Sequence, residues 1–219
     1  MGEIIQLTGL PGAGKTTLAD DLAEYILAAG SPVVRSSIDH FHHPRAFRYR
    51  RGADSPEGYY QDSFDLPALR RVLLDPLAPG GSRVIQTALF DFRSDSPISP
   101  ENVQVGDESI GYQAEANVIL IFDGVFLLRP ELEGVWDFTI FLQIDFQTIL
   151  ARAMQRDVSL LGSPAAVRLR YLNRYLPAQQ MYLSRSRPDL RANVVIDNNN
   201  PIDPVIRRFQ LPPLDTGTH

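Results

Sequence analysis

Short apolar segments recur along the chain and alternate with longer segments of helical periodicity. The strand-like segments are residues 3–8, 33–38, 118–122, 138–144 and 193–196. Apolar positions three and four apart predict helices over residues 16–29, 66–74, 146–157 and 164–184. Because strands and helices alternate, we predict an α/β fold with a central parallel sheet of about five strands and helices on both faces.

Two segments interrupt this alternation. Residues 40–63 are polar, aromatic and rich in arginine, which is typical of a substrate loop. Residues 82–113 alternate like strands around the turn Val105-Gly-Asp-Glu-Ser109, which predicts a β-hairpin flap. The chain of 219 residues fits one domain with an insertion. We therefore expect a single domain over residues 1–210 and a disordered tail over 211–219.

The segment Gly9-Leu-Pro-Gly-Ala-Gly-Lys-Thr16 matches the pattern G-x-x-x-x-G-K-[ST] between a predicted strand and a predicted helix. In that setting the backbone N–H groups bind phosphate oxygens, and a lysine reaches the β- and γ-phosphates. This predicts a P-loop NTPase fold; the alternative is a glycine-rich turn. The residues expected to bind nucleotide are Gly9, Gly12, Ala13, Gly14, Lys15, Thr16 and Thr17.

Two carboxylates follow predicted strands, at the sheet edge where open α/β folds bind ligands. Asp39 follows the second strand, and we expect it to be the general base that takes a proton from a substrate hydroxyl. Asp123 follows the third strand, and with Thr16 it is expected to hold Mg²⁺, directly or through water. The alternatives are an ordinary loop carboxylate for Asp39 and a turn or helix-capping residue for Asp123.

Composition narrows the class of protein. The net charge of −5 argues against broad binding to nucleic acid. There is no cysteine for disulfides or thiolate metal sites, no apolar run of membrane-spanning length and no basic signal-peptide region, so we expect a cytoplasmic protein without a membrane partner. Lys15 is the single lysine of the chain and every other basic residue is arginine, so position 15 is expected to be one where arginine fails.

Further motifs follow in order along the chain: Asp39-His-Phe41, Asp62-Ser-Phe-Asp65 and Phe90-Asp-Phe92. With the P-loop they make residues 3–200 resemble the phosphoribulokinase/uridine kinase family of P-loop kinases, and its uridine kinase branch in particular. The resemblance implies ATP and Mg²⁺ as cofactors, Asp39 as catalytic base, and Thr16 and Asp123 as metal-binding residues. It also implies a lid over about residues 152–170.

In that lid, Arg152 and Arg156 would join Lys15 in stabilising the transferred phosphoryl group. Their spacing of four places both on one helix face. The alternative is a pair of solvated surface arginines.

The chain departs from the uridine kinase pattern mainly where substrate would bind. Asp95 occupies the position of a pyrimidine-reading histidine, and His42 that of a tyrosine. Ala153 and Ser163 replace lid arginines. Asp54 and Asp62 both fit the ribose-binding carboxylate. The candidate substrate residues are therefore Asp39, His42, Asp54, Asp62, Phe90 and Asp95.

The arginine-rich loop of residues 42–51 has two interpretations, an anion-recognising flap or a solvated surface loop. His40, His42 and His43 are interpreted as loop histidines near the substrate rather than a metal cluster. Tyr59, Tyr60, Phe90 and Phe92 could stack on a base or sugar, or belong to the core.

The leading functional hypothesis is an ATP-dependent kinase that transfers the γ-phosphate to a hydroxyl of a small metabolite, with a nucleoside as the best candidate. The alternatives are another acceptor (a sugar, a vitamin precursor or an anionic metabolite) or a non-catalytic nucleotide-binding regulator. A guanine-dependent switch is disfavoured because the chain has no second lysine for an N-K-x-D motif. The motifs are compatible with ATP or GTP as donor and with any oligomeric state.

Overall fold

The computed structural model describes residues 3–98 and 111–211. Within these residues a six-stranded sheet has the order β6-β5-β4-β1-β3-β2, with the last strand of the chain at one edge and the second at the other. Its strands are β1 (Ile4–Gly9), β2 (Val33–Ser37), β3 (Ile119–Gly124), β4 (Phe138–Gln143), β5 (Val194–Asp197) and β6 (Val205–Phe209).

The first five strands are mutually parallel, which confirms the predicted sheet. β6 pairs antiparallel with β5 at the edge and was not predicted. Its side chains are exposed except for the half-buried Arg208, so the segment lacks the apolar alternation that identifies a strand packed on a core. The sequence prediction therefore missed a strand that the sheet edge accommodates without a core.

Helices cover both faces of the sheet. The longer ones are α1 (Lys15–Ala28), α2 (Pro56–Asp62), α3 (Phe146–Arg156), α4 (Pro164–Arg170) and α5 (Leu176–Ser186). Shorter helical turns cover Ile38–Phe41, Arg45–Arg48, Leu66–Leu69, Asp75–Leu77, Pro130–Leu132, Val158–Leu161 and Pro188–Arg191. Each face of the sheet has its own apolar core; Phe122 and Phe141 lie in one, Leu7 and Leu142 in the other.

Two of the predicted helices contain π-helical segments. The predicted helix over residues 66–74 becomes π-helical at Arg70–Leu74. The predicted helix over 164–184 is divided into α4 and α5 by the π-helical turn Tyr171–Tyr175. π-Helical turns inside helices are frequent at functional sites, so the second one is relevant to the lid.

The predicted flap contains two short antiparallel ladders. Val84–Ile85 pairs with Tyr112–Gln113, and Phe90–Asp91 pairs with Ser96–Pro97. The turn predicted at residues 105–109 lies outside the described residues, as does most of the predicted tail. Among the helices that the structure describes, none has the length and apolar content needed to cross a lipid bilayer.

Candidate active site

The P-loop connects the end of β1 to the start of α1, and two of its glycines make close contacts with neighbouring residues. Gly14 has a φ of 87° at the N-terminal cap of α1, and a Cβ there would lie 2.9 Å from the Asn198 side-chain nitrogen. That nitrogen donates a hydrogen bond to the Ala13 carbonyl at 2.8 Å. A Cβ on Gly9 would lie 2.7 Å from the Leu142 carbonyl oxygen. The Leu142 backbone therefore excludes a larger residue at Gly9, and the positive φ disfavours one at Gly14.

Lys15 is the first residue of α1, and its Nζ donates a hydrogen bond to the Leu10 carbonyl at 3.1 Å. Burial lowers the pKa of Lys15 from 10.5 to about 8, while the negative charges of Asp123 and Asp39 oppose this shift. The two carboxylates therefore lie close enough to act on the ammonium group. Phosphate oxygens at the P-loop would supply the further negative charge that favours the protonated amine.

This pKa can be measured directly, because Lys15 is the single lysine of the chain. After reductive ¹³C-methylation, the side-chain resonance is expected to titrate near pH 8. Addition of ATP–Mg²⁺ should move the titration to higher pH, since the triphosphate stabilises the charged form. Asp39→Asn should move it to lower pH, since the Asp39 charge raises the pKa. A titration near 10.5 in the wild-type protein would contradict the buried environment described here.

Thr16 and Asp123 meet beside the P-loop. The Thr16 hydroxyl donates to Asp123 Oδ2 at 3.0 Å, and the Asp123 side chain is 4% exposed. A hydroxyl and a carboxylate are both oxygen donors, which is the ligand type that Mg²⁺ prefers. The two residues therefore fit the metal site expected from the sequence.

Arg35, on β2, is a further residue of the site and was not predicted from the sequence. Its guanidinium donates to Asp123 Oδ1 at 3.1 Å, to the Ile121 carbonyl at 2.8 Å and to Asp20 at 2.9 Å. Arg35 thus holds the carboxylate oxygen that Thr16 does not contact. A charged residue in the middle of a predicted strand was the available signal, since such a residue needs a partner on a neighbouring element.

Arg35→Met is expected to lower the free energy of unfolding by about 1–3 kcal/mol, because it leaves a buried oxygen of Asp123 without its charged donor. Urea denaturation measures this difference. Arg207→Met is the matched control, since Arg207 forms an exposed ion pair with Asp197 that is expected to contribute less than about 1 kcal/mol. Equal effects of the two substitutions would show that Arg35 does not support Asp123.

Asp39 lies on the single helical turn that directly follows β2, and its side chain is exposed. Within the described residues, no donor is found on its carboxylate. Besides Lys15, its charge acts on His42, whose Nδ1 lies 2.9 Å from the Asp39 carbonyl oxygen. The carboxylate is therefore near the P-loop lysine and open to an incoming molecule.

His42 forms one wall beside Asp39. Its ring packs against Phe64, with 4.6 Å between ring centroids, and against Phe92, with 5.3 Å. Burial lowers the pKa of His42, although the Asp39 charge opposes the shift. Burial also lowers the pKa of the neighbouring His43. The described residues contain no group of three or more His, Cys, Asp or Glu side chains placed to hold a metal ion.

The two lid arginines differ in their contacts. Arg152 donates to the carbonyls of Gly12 at 2.8 Å, Asn198 at 2.8 Å and Asn199 at 3.0 Å, and so joins α3 to the P-loop and to the loop after β5. Arg156 donates to Asp157 at 2.7 Å and to the Tyr171 hydroxyl at 3.2 Å. The ion pair with Asp157 raises the pKa of Arg156.

The candidate ribose-binding carboxylates lie in different environments. Asp62 is buried and bonded by Arg50 at 2.6 Å and Arg51 at 2.7 Å. Burial alone would raise the pKa of Asp62, but these two hydrogen bonds outweigh it and lower the pKa. Asp54 is exposed and lies 3.4 Å from Arg170. Of the two, Asp54 is the one with a carboxylate accessible from solvent.

Asp95 and Phe90, the other candidate substrate residues, are both engaged in structural contacts. Asp95 has a φ of 56° and accepts from the Arg48 side chain at 2.8 Å and the Arg45 backbone N–H at 2.9 Å. Phe90 is 5% exposed. Three arginines of the 42–51 loop are thus paired with carboxylates: Arg48 with Asp95, and Arg50 and Arg51 with Asp62.

Comparison with known proteins agrees with this geometry. The model of the "Phosphoribulokinase / Uridine kinase family" matches residues 4–199. The chain belongs to this family. Membership in this family indicates that the protein is a kinase.

The proteins that are similar to this chain are described as kinases of different substrates. A uridine kinase of Schizosaccharomyces pombe is 28% identical over 92% of this chain, although the chain spans only 42% of that relative's length. A structure described as a "Possible Uridine Kinase" from Bacillus stearothermophilus has a TM-score of 0.66 and 26% identity, covering 89% of each chain. A protein provisionally described as a fructose transport system kinase, from Silicibacter sp. TM1040, has a TM-score of 0.66 and 25% identity over 84% of this chain and 86% of its own.

Proposed function

We propose that this protein is an ATP- and Mg²⁺-dependent kinase that transfers the γ-phosphate to a hydroxyl of a neutral, polyhydroxylated small molecule, with a nucleoside as the first candidate. The observation that supports this most directly is the exposed Asp39 carboxylate beside the P-loop lysine. An accessible carboxylate near the γ-phosphate position can orient a hydroxyl and accept its proton.

The chain's own residues divide the work of catalysis. The P-loop backbone and Lys15 bind and orient the donor phosphates, and Arg152 keeps the lid helix attached to the P-loop through the Gly12 carbonyl. Thr16 and Asp123 would hold Mg²⁺, which when bound neutralises charge on the phosphates. Asp39 aligns the acceptor hydroxyl and takes its proton.

The neutral acceptor is supported by charge pairing in the 42–51 loop. Arg48 is bonded to Asp95, and Arg50 and Arg51 are bonded to Asp62, so at these three arginines an anionic acceptor would have to compete with a carboxylate already in place. Asp54 instead offers an exposed carboxylate, which is suited to accept hydrogen bonds from the hydroxyls of a ribose or sugar.

A sugar is the second candidate acceptor. It is favoured by Asp95, which occupies the position of a base-reading histidine in uridine kinases and is held by Arg48. The likeness to the protein provisionally described as a fructose transport system kinase points in the same direction. Both candidates share a neutral acceptor with several hydroxyls.

A coupled ADP-release assay tests the proposal. The panel contains uridine, cytidine, other nucleosides, nicotinamide riboside, neutral sugars, pantothenate and sugar phosphates, each with ATP–Mg²⁺. We expect acceptor-dependent turnover with a nucleoside or neutral sugar. Turnover only with pantothenate or sugar phosphates would overturn the neutral acceptor and would assign recognition to the 42–51 loop. No acceptor-dependent turnover with any compound would contradict the proposal.

A further inference from the structure

Arg174 is the largest fully buried side chain in the described residues, with 2% of its surface exposed. A buried guanidinium normally pairs with a carboxylate, yet none lies within ion-pair distance of Arg174 in the part of the chain that the structure describes. Burial lowers the pKa of Arg174, and three nearby tyrosines oppose the shift. The buried positive charge of Arg174 must therefore be stabilised by groups other than a carboxylate.

The groups that stabilise the Arg174 charge lie mainly in one loop. Arg174 donates to four backbone carbonyls of this loop. They belong to Arg48 at 3.3 Å, Gly52 at 3.4 Å, Ala53 at 3.0 Å and Ser55 at 3.0 Å. Its guanidinium also lies over the rings of Tyr49, at 4.9 Å, and Tyr59, at 5.4 Å. We call residues 48–55 the acceptor loop, because they include Asp54 and lead into α2.

Arg174 lies directly after the predicted lid of residues 152–170. It belongs to the π-helical turn Tyr171–Tyr175, which joins lid helix α4 to α5. α5 is anchored in the core, since the Tyr182 hydroxyl contacts the Thr8 hydroxyl at 3.3 Å and accepts from the Leu128 N–H at 3.1 Å. The π-helical turn therefore separates the lid from a fixed helix, which is where a hinge is expected.

The same turn also contacts the nucleotide side of the lid. The Tyr171 hydroxyl accepts from Arg156 at 3.2 Å and donates to Asp157 at 2.6 Å. Arg170, at the end of α4, donates to the Ala53 carbonyl at 2.5 Å and lies 3.4 Å from Asp54. A single helical turn thus contacts the expected phosphate clamp on one side and the acceptor loop on the other.

From these contacts we propose that Arg174 is a positioning residue that fixes the acceptor loop to the hinge of the lid, so that lid closure over the nucleotide and ordering of the acceptor loop occur together. The link to catalysis rests on the proposed kinase function. The attachment of the loop to the hinge does not depend on it.

Limited trypsin digestion tests this proposal, because the acceptor loop and the residues just before it contain tryptic bonds after Arg45, Arg48, Arg50 and Arg51. Without nucleotide, Arg174→Lys is expected to raise the cleavage rate at these bonds about tenfold, because lysine cannot bond four carbonyls at once. ATP–Mg²⁺ should protect the bonds in the wild-type protein, and this protection should be lost in Arg174→Lys while the Kd for ATP is unchanged. Arg168→Lys, an exposed position on α4, is the matched control and should behave as wild type.

Several results of the digestion experiment would overturn the proposal. Cleavage of Arg174→Lys at the wild-type rate, equal acceleration at every tryptic bond, or equal protection by ATP in both proteins would overturn the proposal. If Arg174→Lys does not fold, Arg170→Gln removes the neighbouring contact to Ala53 from a partly exposed position and should give a smaller change in the same direction; no change would overturn the proposal. If the wild-type protein does not bind ATP, the proposed function fails, and the nucleotide-free comparison still decides whether Arg174 holds the loop.

Discussion

Replacing Asp39 with alanine is expected to lower kcat by about 10²–10⁴-fold, the usual contribution of a positioned general base. ATP–Mg²⁺ should still bind, with a change in Kd far smaller than the change in kcat, because the Asp39 carboxylate is exposed and no donor in the described residues bonds it. The variant should also fold normally for the same reason. Turnover is measured with the acceptor that the panel identifies, and ATP binding by calorimetry.

Two controls sharpen this prediction. Asp39→Asn keeps the size of the side chain and removes its basicity, so it should be nearly as inactive as Asp39→Ala. Asp203→Asn changes an exposed aspartate in the loop before β6 and should retain wild-type turnover. If Asp39→Ala kept its turnover, the assignment of the base would be wrong even if the protein were a kinase.

Lys15→Met is expected to lower kcat by about 10²–10³-fold and also to weaken ATP binding, because it removes the cation that faces the donor phosphates. The loss of both turnover and ATP binding distinguishes Lys15→Met from Asp39→Ala, which should affect mainly turnover. Lys15 is buried and close to the P-loop backbone, as its bond to the Leu10 carbonyl shows.

Lys15→Arg tests whether charge alone is sufficient. The planar guanidinium is larger than an ammonium group, so we expect this variant to be nearly as inactive as Lys15→Met although it keeps the positive charge. Substantial activity in Lys15→Arg would contradict the argument that the single lysine of this arginine-rich chain occupies a position where arginine fails.

The parts of the fold that were predicted are marked in the sequence by a short motif or by a regular pattern of apolar residues. The five parallel strands are short apolar segments flanked by helical periodicity, and the P-loop is a contiguous motif. β6 was missed because an edge strand with little burial leaves no apolar pattern. The π-helical turn at Tyr171–Tyr175 was missed because it preserves a helical composition while changing the backbone hydrogen bonds.

The site residues that were predicted from the sequence lie in a motif or at the end of a strand. Thr16 and Asp123 were expected together from their positions and are in contact. The ion pairs of Asp62 and Asp95 were not foreseen, because the pairing of an arginine with one carboxylate among several depends on the folded geometry. The burial of Arg174 could not be predicted from the sequence, since arginines in a helical segment are normally exposed.

A small-molecule kinase transfers a phosphoryl group from ATP to an acceptor hydroxyl, and ³¹P NMR of a completed reaction detects the product of this transfer. With wild-type protein, ATP–Mg²⁺ and the acceptor identified in the panel, we predict a new phosphomonoester resonance in an amount equal to the ADP formed. The resonance should be absent with Asp39→Ala. Formation of ADP together with inorganic phosphate alone would show that water is the acceptor, and would contradict the assignment of this protein as a small-molecule kinase.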